Sequence, residues 1–282
     1  MFKKITLPAL VMLAFLSCKK EKSLDTFGGA NPIFIGNNCR ISQILTVDSF
    51  SSVGYEAHNI FFNAAGNATR SQIIDSLSSS SFFDESFTYK GDTIYVRNIG
   101  FFVKNSSGRV QSFKGPEDPT DPFSDTVTIN FTYSAAGALT KAEYFYFGIP
   151  IPLVRSTYTY TGNNLTKART DLLVPSFETI IESELVYNTA QTVRDFIYTF
   201  PDAYELYPFL PALNFGNKPT NALTKVTTKI YDAGLLTDSL VTTYKNYKLS
   251  NDGYVLEFFA DGDFQDGMGI YNGRTKFKYF CK

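Results

Sequence analysis

The sequence predicts an all-β protein: an antiparallel up-and-down meander of repeated hairpins curled into a large barrel or half-barrel, with a two-sheet β-sandwich as the alternative. The composition suits pleated, half-buried strands. Of 282 residues 16% are aromatic, with 27 Phe and 18 Tyr, and aromatic and β-branched side chains favour strands. A strand–turn–strand pattern also recurs along the chain. Enough strands for a chain this long cannot stay flat, because strand twist makes the sheet curl, close or split.

The best-formed copy is Thr126 to Lys141. Val127, Ile129, Phe131 and Tyr133 alternate with Thr126, Thr128, Asn130 and Thr132, the period of a strand with one apolar face. Ser134-Ala135-Ala136-Gly137 breaks the run with a Gly able to take positive φ, and Leu139 restarts it. Looser copies turn at Asn63–Gly66, Ser107-Gly108, Gly162-Asn163, Asn188–Gln191, Asp232–Gly234 and Ser250–Gly253. Each reads as a β-hairpin, and hairpins in series make strand neighbours in sequence neighbours in space.

The first residues are not part of this fold. Lys3-Lys4 precede a short apolar run, Leu7 to Leu16. The run is too short to span a bilayer and has the plan of a secretory signal. Leu16-Ser17-Cys18 follows and resembles a bacterial lipobox. The expected division is a signal peptide at 1–17, a lipid-anchored tether at 18–30 with Cys18 as the acylated residue, and one all-β domain at 31–282 with an apolar Pro-rich insert near 201–220. The residue after Cys18 is Lys19, not Asp. On that resemblance the expected location is the outer membrane, lipid-anchored, facing either the periplasm or the surface.

Two further cysteines, Cys39 and Cys281, stand near the ends of the mature chain. In an oxidising compartment they are a candidate disulfide that ties the first strand to the last; the chain-entropy model credits so long a loop with ~5 kcal/mol at most. Phe113 to Asp125 is rich in Pro and acid and reads as a loop. Pro201 to Thr220 carries Pro together with large apolar side chains. A loop that apolar packs on something, as a lid over the barrel mouth or a plug inside it. Ala203 to Leu206 reads as a helical turn, and Ile73 to Phe83 as a candidate short helix.

Chemistry is sparse. The formal charge of −1 gives no electrostatic case for nucleic acid. His58 is the only histidine, with no Ser or Cys placed by the sequence to act as its nucleophile. Asp261, Asp263 and Asp266 form a weak calcium candidate, since hard cations take clustered carboxylates, but the spacing departs from the EF-hand and a hairpin turn explains it as well. Glu117, Asp118, Asp121 and Asp125 are a weaker one. No phosphate loop, dinucleotide fingerprint or zinc spacing is present. No cofactor, resident metal or enzymatic activity is expected. A facing pair of acids for hydrolysis is set by spatial separation, which sequence does not display.

The units around Tyr133, Tyr160, Tyr187 and Tyr231-Asp232 resemble the tyrosine-aspartate (YD/Rhs-type) repeats of bacterial secreted shells, with the Asp kept only at Asp232. Cys18-Lys19-Lys20, the hairpin copies and the insert running into Asn221–Lys225 resemble Bacteroidetes-type envelope lipoproteins of unknown function with a porin-like β fold. The resemblance implies a barrel and carries over no functional residues. Lys276 and Lys278 share one face of the last strand, as do Lys225 and Lys229 of another. Charge is costly on a lipid-facing strand, so the expectation is a barrel with an aromatic interior, held at the membrane by its lipid. Its expected role is binding an apolar or glycan ligand through the interior or rim. An assembly partner of an outer-membrane complex is the alternative, and an envelope hydrolase the remote one.

Overall fold

The computed structural model describes residues 38–48, 55–75, 80–116, 125–174, 178–202, 206–263 and 272–281. Residues 1–37, with Cys18, lie outside them. The first eight strands are β1 (Cys39–Asp48), β2 (Tyr55–Phe62), β3 (Ala68–Asp75), β4 (Ser80–Lys90), β5 (Thr93–Val96), β6 (Gly100–Lys104), β7 (Val110–Pro116) and β8 (Thr126–Tyr133). The second eight are β9 (Leu139–Phe145), β10 (Val154–Thr161), β11 (Asn164–Leu172), β12 (Thr179–Thr192), β13 (Asn221–Asp232), β14 (Leu235–Leu249), β15 (Val255–Gly262) and β16 (Gly273–Cys281). Each strand pairs antiparallel with its sequence neighbours, and β1 pairs with β16, so the sheet is a closed barrel. There is no α-helix among the described residues. The barrel is the first of the expected architectures, and it is closed.

The alternation in β8 now has a direction. Val127, Ile129 and Phe131 are buried inside, while Thr126, Asn130 and Thr132 are exposed. The same holds round the wall, where Phe102, Phe113, Tyr158, Tyr244, Phe258 and Phe277 are buried. Outward positions carry ion pairs, some within a strand and some across neighbouring strands. Glu143 bonds Lys141 at 2.8 Å and Arg155 at 3.0 Å. Arg169 bonds Asp171 at 2.8 Å and Glu182 at 2.7 Å. Lys248 and Arg274 cover Glu257, at 2.9 and 3.5 Å.

In a meander the connections alternate between the two ends. Turns at Asn63–Gly66, Asn105–Gly108, Ser134–Gly137 and Ser250–Gly253 all fall at one end, here the turn end. They share one construction. The Gly N–H donates to the carbonyl three residues back, at 2.8–3.1 Å, and the side chain of that first residue accepts from the next N–H. Each Gly has φ between 73° and 90°, which a Cβ would resist. The repeat is thus Asn or Ser, two residues, then Gly. The Tyr231-Asp232-Ala233-Gly234 turn joins β13 to β14 at the opposite end and is out of phase with the others.

Three expectations need correcting. Ile73 to Phe83 is not a helix: its described residues belong to β3 and β4, with Ile73 opposite Phe83. Asn188–Gln191 is not a hairpin, because β12 runs through it to Thr192; this segment has no Gly to take the positive φ that such a turn needs. The apolar insert begins earlier than Pro201. From Val193 the chain leaves the wall, and Phe196, Ile197, Tyr198 and Phe200 are already buried. The described residues of 193–220 are a plug inside the barrel before β13 resumes beside β12.

The plug packs by aromatic edges. Phe209 meets Phe83, Phe87 and Phe102, with ring centroids 5.4, 6.4 and 5.1 Å away. Phe215 meets Phe131 at 5.5 Å and Tyr198 at 6.0 Å. Phe196 sits 6.0 Å from both Phe258 and Phe277. Helical turns occur at 206–213, where Phe209 and Leu210 donate to the Leu206 carbonyl at 2.8 and 3.1 Å; residues 203–205 lie outside the described ones. Both ends of the plug are pinned at the turn end. Arg194 N–H donates to Gly253 O at 2.9 Å, and Asn217 N–H to Gly137 O at 3.2 Å. A Cβ on Gly216 would meet Gly137 O at 2.5 Å, and its φ is +97°, so only Gly allows that approach. Phe215 is fully buried, and Phe215→Ala is expected to cost about 3–5 kcal/mol, read as a lowered midpoint in denaturant unfolding. A change under about 1 kcal/mol would mean that the plug adds little to the core.

Candidate functional site

Apolar side chains fill much of the barrel interior. Inside the barrel, a void of about 20 Å³ lies beside His58, room for about one water. The chain's own plug occupies much of the aromatic interior, where an apolar ligand was expected to bind. The large cavity is a vestibule of about 850 Å³ open at the turn end, within the roughly 300–1,000 Å³ typical of ligand sites.

The vestibule is built from the plug roots and the chain ends. Cys39 and Cys281 are joined by a disulfide across β1 and β16, with Cα atoms 4.1 Å apart. The Cys39 N–H donates to Tyr254 Oη at 3.3 Å. Arg194 lies over the Tyr254 ring, 5.2 Å from its centroid. Arg40 Nη1 donates to Gly66 O at 2.8 Å. Lys218 Nζ donates to Asp195 at 2.8 Å and lies 5.3 Å from the Tyr198 ring centroid. Asn217 Nδ2 donates to Ala136 O at 3.1 Å and to Asn163 Oδ1 at 3.0 Å. The walls thus offer cations and amides side by side with apolar surface from Val193, Pro211, Leu213, Pro219 and Phe280.

His58 is deeper and its polarity is wrong for catalysis. Ser71 Oγ donates to Pro208 O at 2.9 Å and therefore accepts from His58 Nε2 at 2.8 Å. An activated serine would donate to the imidazole instead. The pair holds the plug to β2 and β3. Burial pulls the His58 pKa down to about 4, against a smaller upward effect of the Pro208 carbonyl. The inner phenols run the other way: desolvation first of all raises Tyr158, Tyr187, Tyr198 and Tyr244, so they stay protonated donors. Tyr187 meets Thr199 at 2.9 Å, and Tyr158 donates to Asp202 at 3.3 Å.

The other sequence candidates do not converge. Asp261 bonds Lys245 at 2.5 Å on the outer wall, and Asp263 accepts the Val241 N–H at 2.7 Å; Asp266 lies outside the described residues. So do Glu117, Asp118 and Asp121, leaving Asp125 of that set. No group of three or more metal-ligating side chains is present among the described residues. The vestibule cations were not singled out from sequence. Their signal is only their position beside the Gly turns and Pro-rich roots.

Neither a protein-family model nor a curated protein sequence matches this chain. Among solved structures, it is similar to a porin-like protein from Bacteroides uniformis, with a TM-score of 0.57 at 17% identity, covering 85% of this chain and 96% of that one. A porin-like protein from Bacteroides vulgatus aligns with a TM-score of 0.54 at 11% identity, over 85% of this chain and 98% of that one. Both share its fold. A TcdB2-TccC3 toxin structure aligns with a TM-score of 0.27 at 8% identity, over 83% of this chain and 14% of that one.

A pH test follows from His58. Between its unfolded value of 6.5 and its folded value of about 4, the unfolded chain binds a proton that the folded one does not. Stability is therefore lost as pH falls through that window, by about 3 kcal/mol in all. In His58→Gln, which keeps a donor to Ser71, melting temperature is expected to fall less between pH 7 and pH 4 than in the parent. Parallel curves would refute the assignment.

Proposed function

We propose that the chain is a lipid-anchored protein of the cell envelope, without enzymatic activity, that binds a glycan in the vestibule at its turn end. The observation that carries this reading is the plug. It fills much of the interior with the chain's own side chains and leaves a large open cavity at the turn end, lined by both polar and apolar groups. Sugar hydroxyls need neutral donors and acceptors at fixed positions, and rim amides such as Asn163 and Asn217 supply both. The charged outer wall supports attachment by lipid over insertion of the barrel, since charges facing lipid are costly. Leu7 to Leu16 followed by Leu16-Ser17-Cys18 supplies the export and acylation signal.

Two measurements test this. Cys18→Ser is expected to move the protein from the membrane to the soluble fraction of lysed cells. Retention in the membrane would show that something other than an acyl chain holds it. In a thermal-shift panel of oligosaccharides and lipids, a glycan is expected to raise the melting temperature by mass action on the folded state. A response to lipids alone would overturn the vestibule as the site.

A further inference from the structure

Independently of the vestibule, we infer that the end of the barrel away from the turns docks on a lipid bilayer, setting apolar tips into its headgroup boundary. Three neighbouring connections build this end: 146–153, 173–178, and 233–234 with the first residues of β14. No charged residue lies between Glu143 and Arg155, between Asp171 and Glu178, or between Asp232 and Asp238. Surface connections are ordinarily polar, but these expose Phe147, Ile149, Ile151, Leu173, Leu235 and Leu236. Single exposed apolar residues need no explanation, whereas a gathered set marks an interaction site. The set is tied together by the backbone. Leu173 N–H donates to Leu153 O at 2.7 Å, and Thr179 at the start of β12 lies opposite Asp232.

The tips project. Residues 235–239 are exposed in succession, although a strand lying in the wall turns alternate residues inward. The β13–β14 hairpin therefore stands clear of the wall here, with Leu235 72% exposed at its tip. In the connection at 146–153, Ile149 N–H donates to Tyr146 O at 3.0 Å and closes a tight turn. Its central residues, Phe147 and Gly148, have φ of 57° and 66°, a turn that ordinarily takes Asn-Gly. A Phe with positive φ is strained, and the turn holds its ring half out in solvent. Strain kept at an exposed aromatic tip points to a role for that ring outside the fold.

Charge, shape and chain length select the occupant. Glu178, Asp232 and Asp238 stand exposed beside the tips, so two copies meeting by this end would bring like charges together. Tips that project separately suit a boundary that closes around each of them, as a bilayer does, more than a partner of fixed shape. About twenty residues separate Cys18 from Asn38, a reach of up to ~65 Å. The longest strand, β14, has 15 residues, ~50 Å along its course and less along the axis of a barrel with tilted strands. An acylated Cys18 can therefore enter the same bilayer that the apolar end touches, although β1 begins at the turn end. In that attitude the vestibule opens away from the membrane. A few inserted side chains bind no better than one acyl chain, which is itself marginal and reversible. The contact thus orients the protein and does not retain it once cells are lysed.

The chain has no Trp, so a single introduced Trp reports its own surroundings. The mature protein with Cys18→Ser, which carries no acyl chain, is mixed with phosphatidylcholine vesicles. Their neutral headgroups keep the lysines at 19, 20 and 22 out of the result. In Leu235→Trp the emission is expected to shift to the blue and to be quenched by lipids brominated on their acyl chains. In Phe61→Trp, on the outer wall next to the Asn63–Gly66 turn, neither change is expected. The lipid concentration for half-binding in vesicle flotation should rise about tenfold or more in Leu235→Ser/Leu236→Ser, since each buried leucine is worth at least that factor. A response at both Trp positions, or unchanged flotation of the double serine variant, overturns the inference. Silence at both positions overturns it in favour of a protein cover. A blue shift that grows with protein concentration in the absence of vesicles assigns this end to a second copy and overturns it too. The Trp comparison decides even if the serine variant misfolds. Because the protein tested has no acyl chain, failure here leaves the lipid anchor and the glycan reading standing.

Discussion

Sixteen strands closed into a barrel enclose more space than the wall's own side chains can fill. Eight strands suffice for a packed interior, whereas barrels of sixteen or so leave a lumen. A lumen lined by Phe102, Phe131, Phe258 and Phe277 would wet a large apolar surface, and the hydrophobic effect opposes that strongly. The chain answers by lending residues 193–220 to the inside, and most other features follow from that loan. Buried polar pairs such as His58–Ser71 and Tyr187–Thr199 satisfy the plug's polar groups where it meets the wall. The Gly137–Gly216 contact fits one root of the plug against a hairpin turn. The vestibule is the space left where the roots, the rim and the chain ends come together.

The wall's polarity is the inverse of a membrane-spanning barrel's. Such a barrel turns its apolar residues to lipid and its polar ones to the lumen, but here Val127 and Phe131 point in while Lys141, Glu143 and Arg169 point out. Outer ion pairs like these add little stability each, because they are solvated and screened. What they do is make the exterior compatible with water. The exception is at the end away from the turns. There Phe147, Ile149, Ile151, Leu173, Leu235 and Leu236 are exposed on three neighbouring connections, and the surface is much less polar than the wall below it.

Local features of the fold were legible in the sequence, and of the long-range ones the Cys39–Cys281 link alone left a sign. Thr126–Lys141 declares its strand, turn and return because alternation and a positive-φ Gly act within a few residues. Closure was not written locally: β1 meets β16 across 242 residues, and pairing at that distance leaves no periodic mark. The start of the plug was hidden because Phe196, Tyr198 and Phe200 alternate as a strand would. A clue did exist at Asn188–Gln191, the hairpin copy without Gly, which is where the chain turns inward instead of back. Tyr231–Gly234 misled in the opposite sense, since a local motif cannot tell which end of the barrel it occupies. The vestibule was beyond reach, as Arg40, Arg194 and Lys218 come from separate stretches that only the closed barrel brings together.

The disulfide has a topological consequence. Because β1 and β16 are neighbours like any others in the ring, no strand is structurally first or last, and the break in the chain is a seam placed between two of sixteen equivalent staves. Joining the ends there and cutting at Ser134–Gly137 instead would leave every strand with its present neighbours, which is the condition for circular permutation. What the present seam fixes is the point of departure. Cys39 and Cys281 stand at the same rim where the plug is pinned.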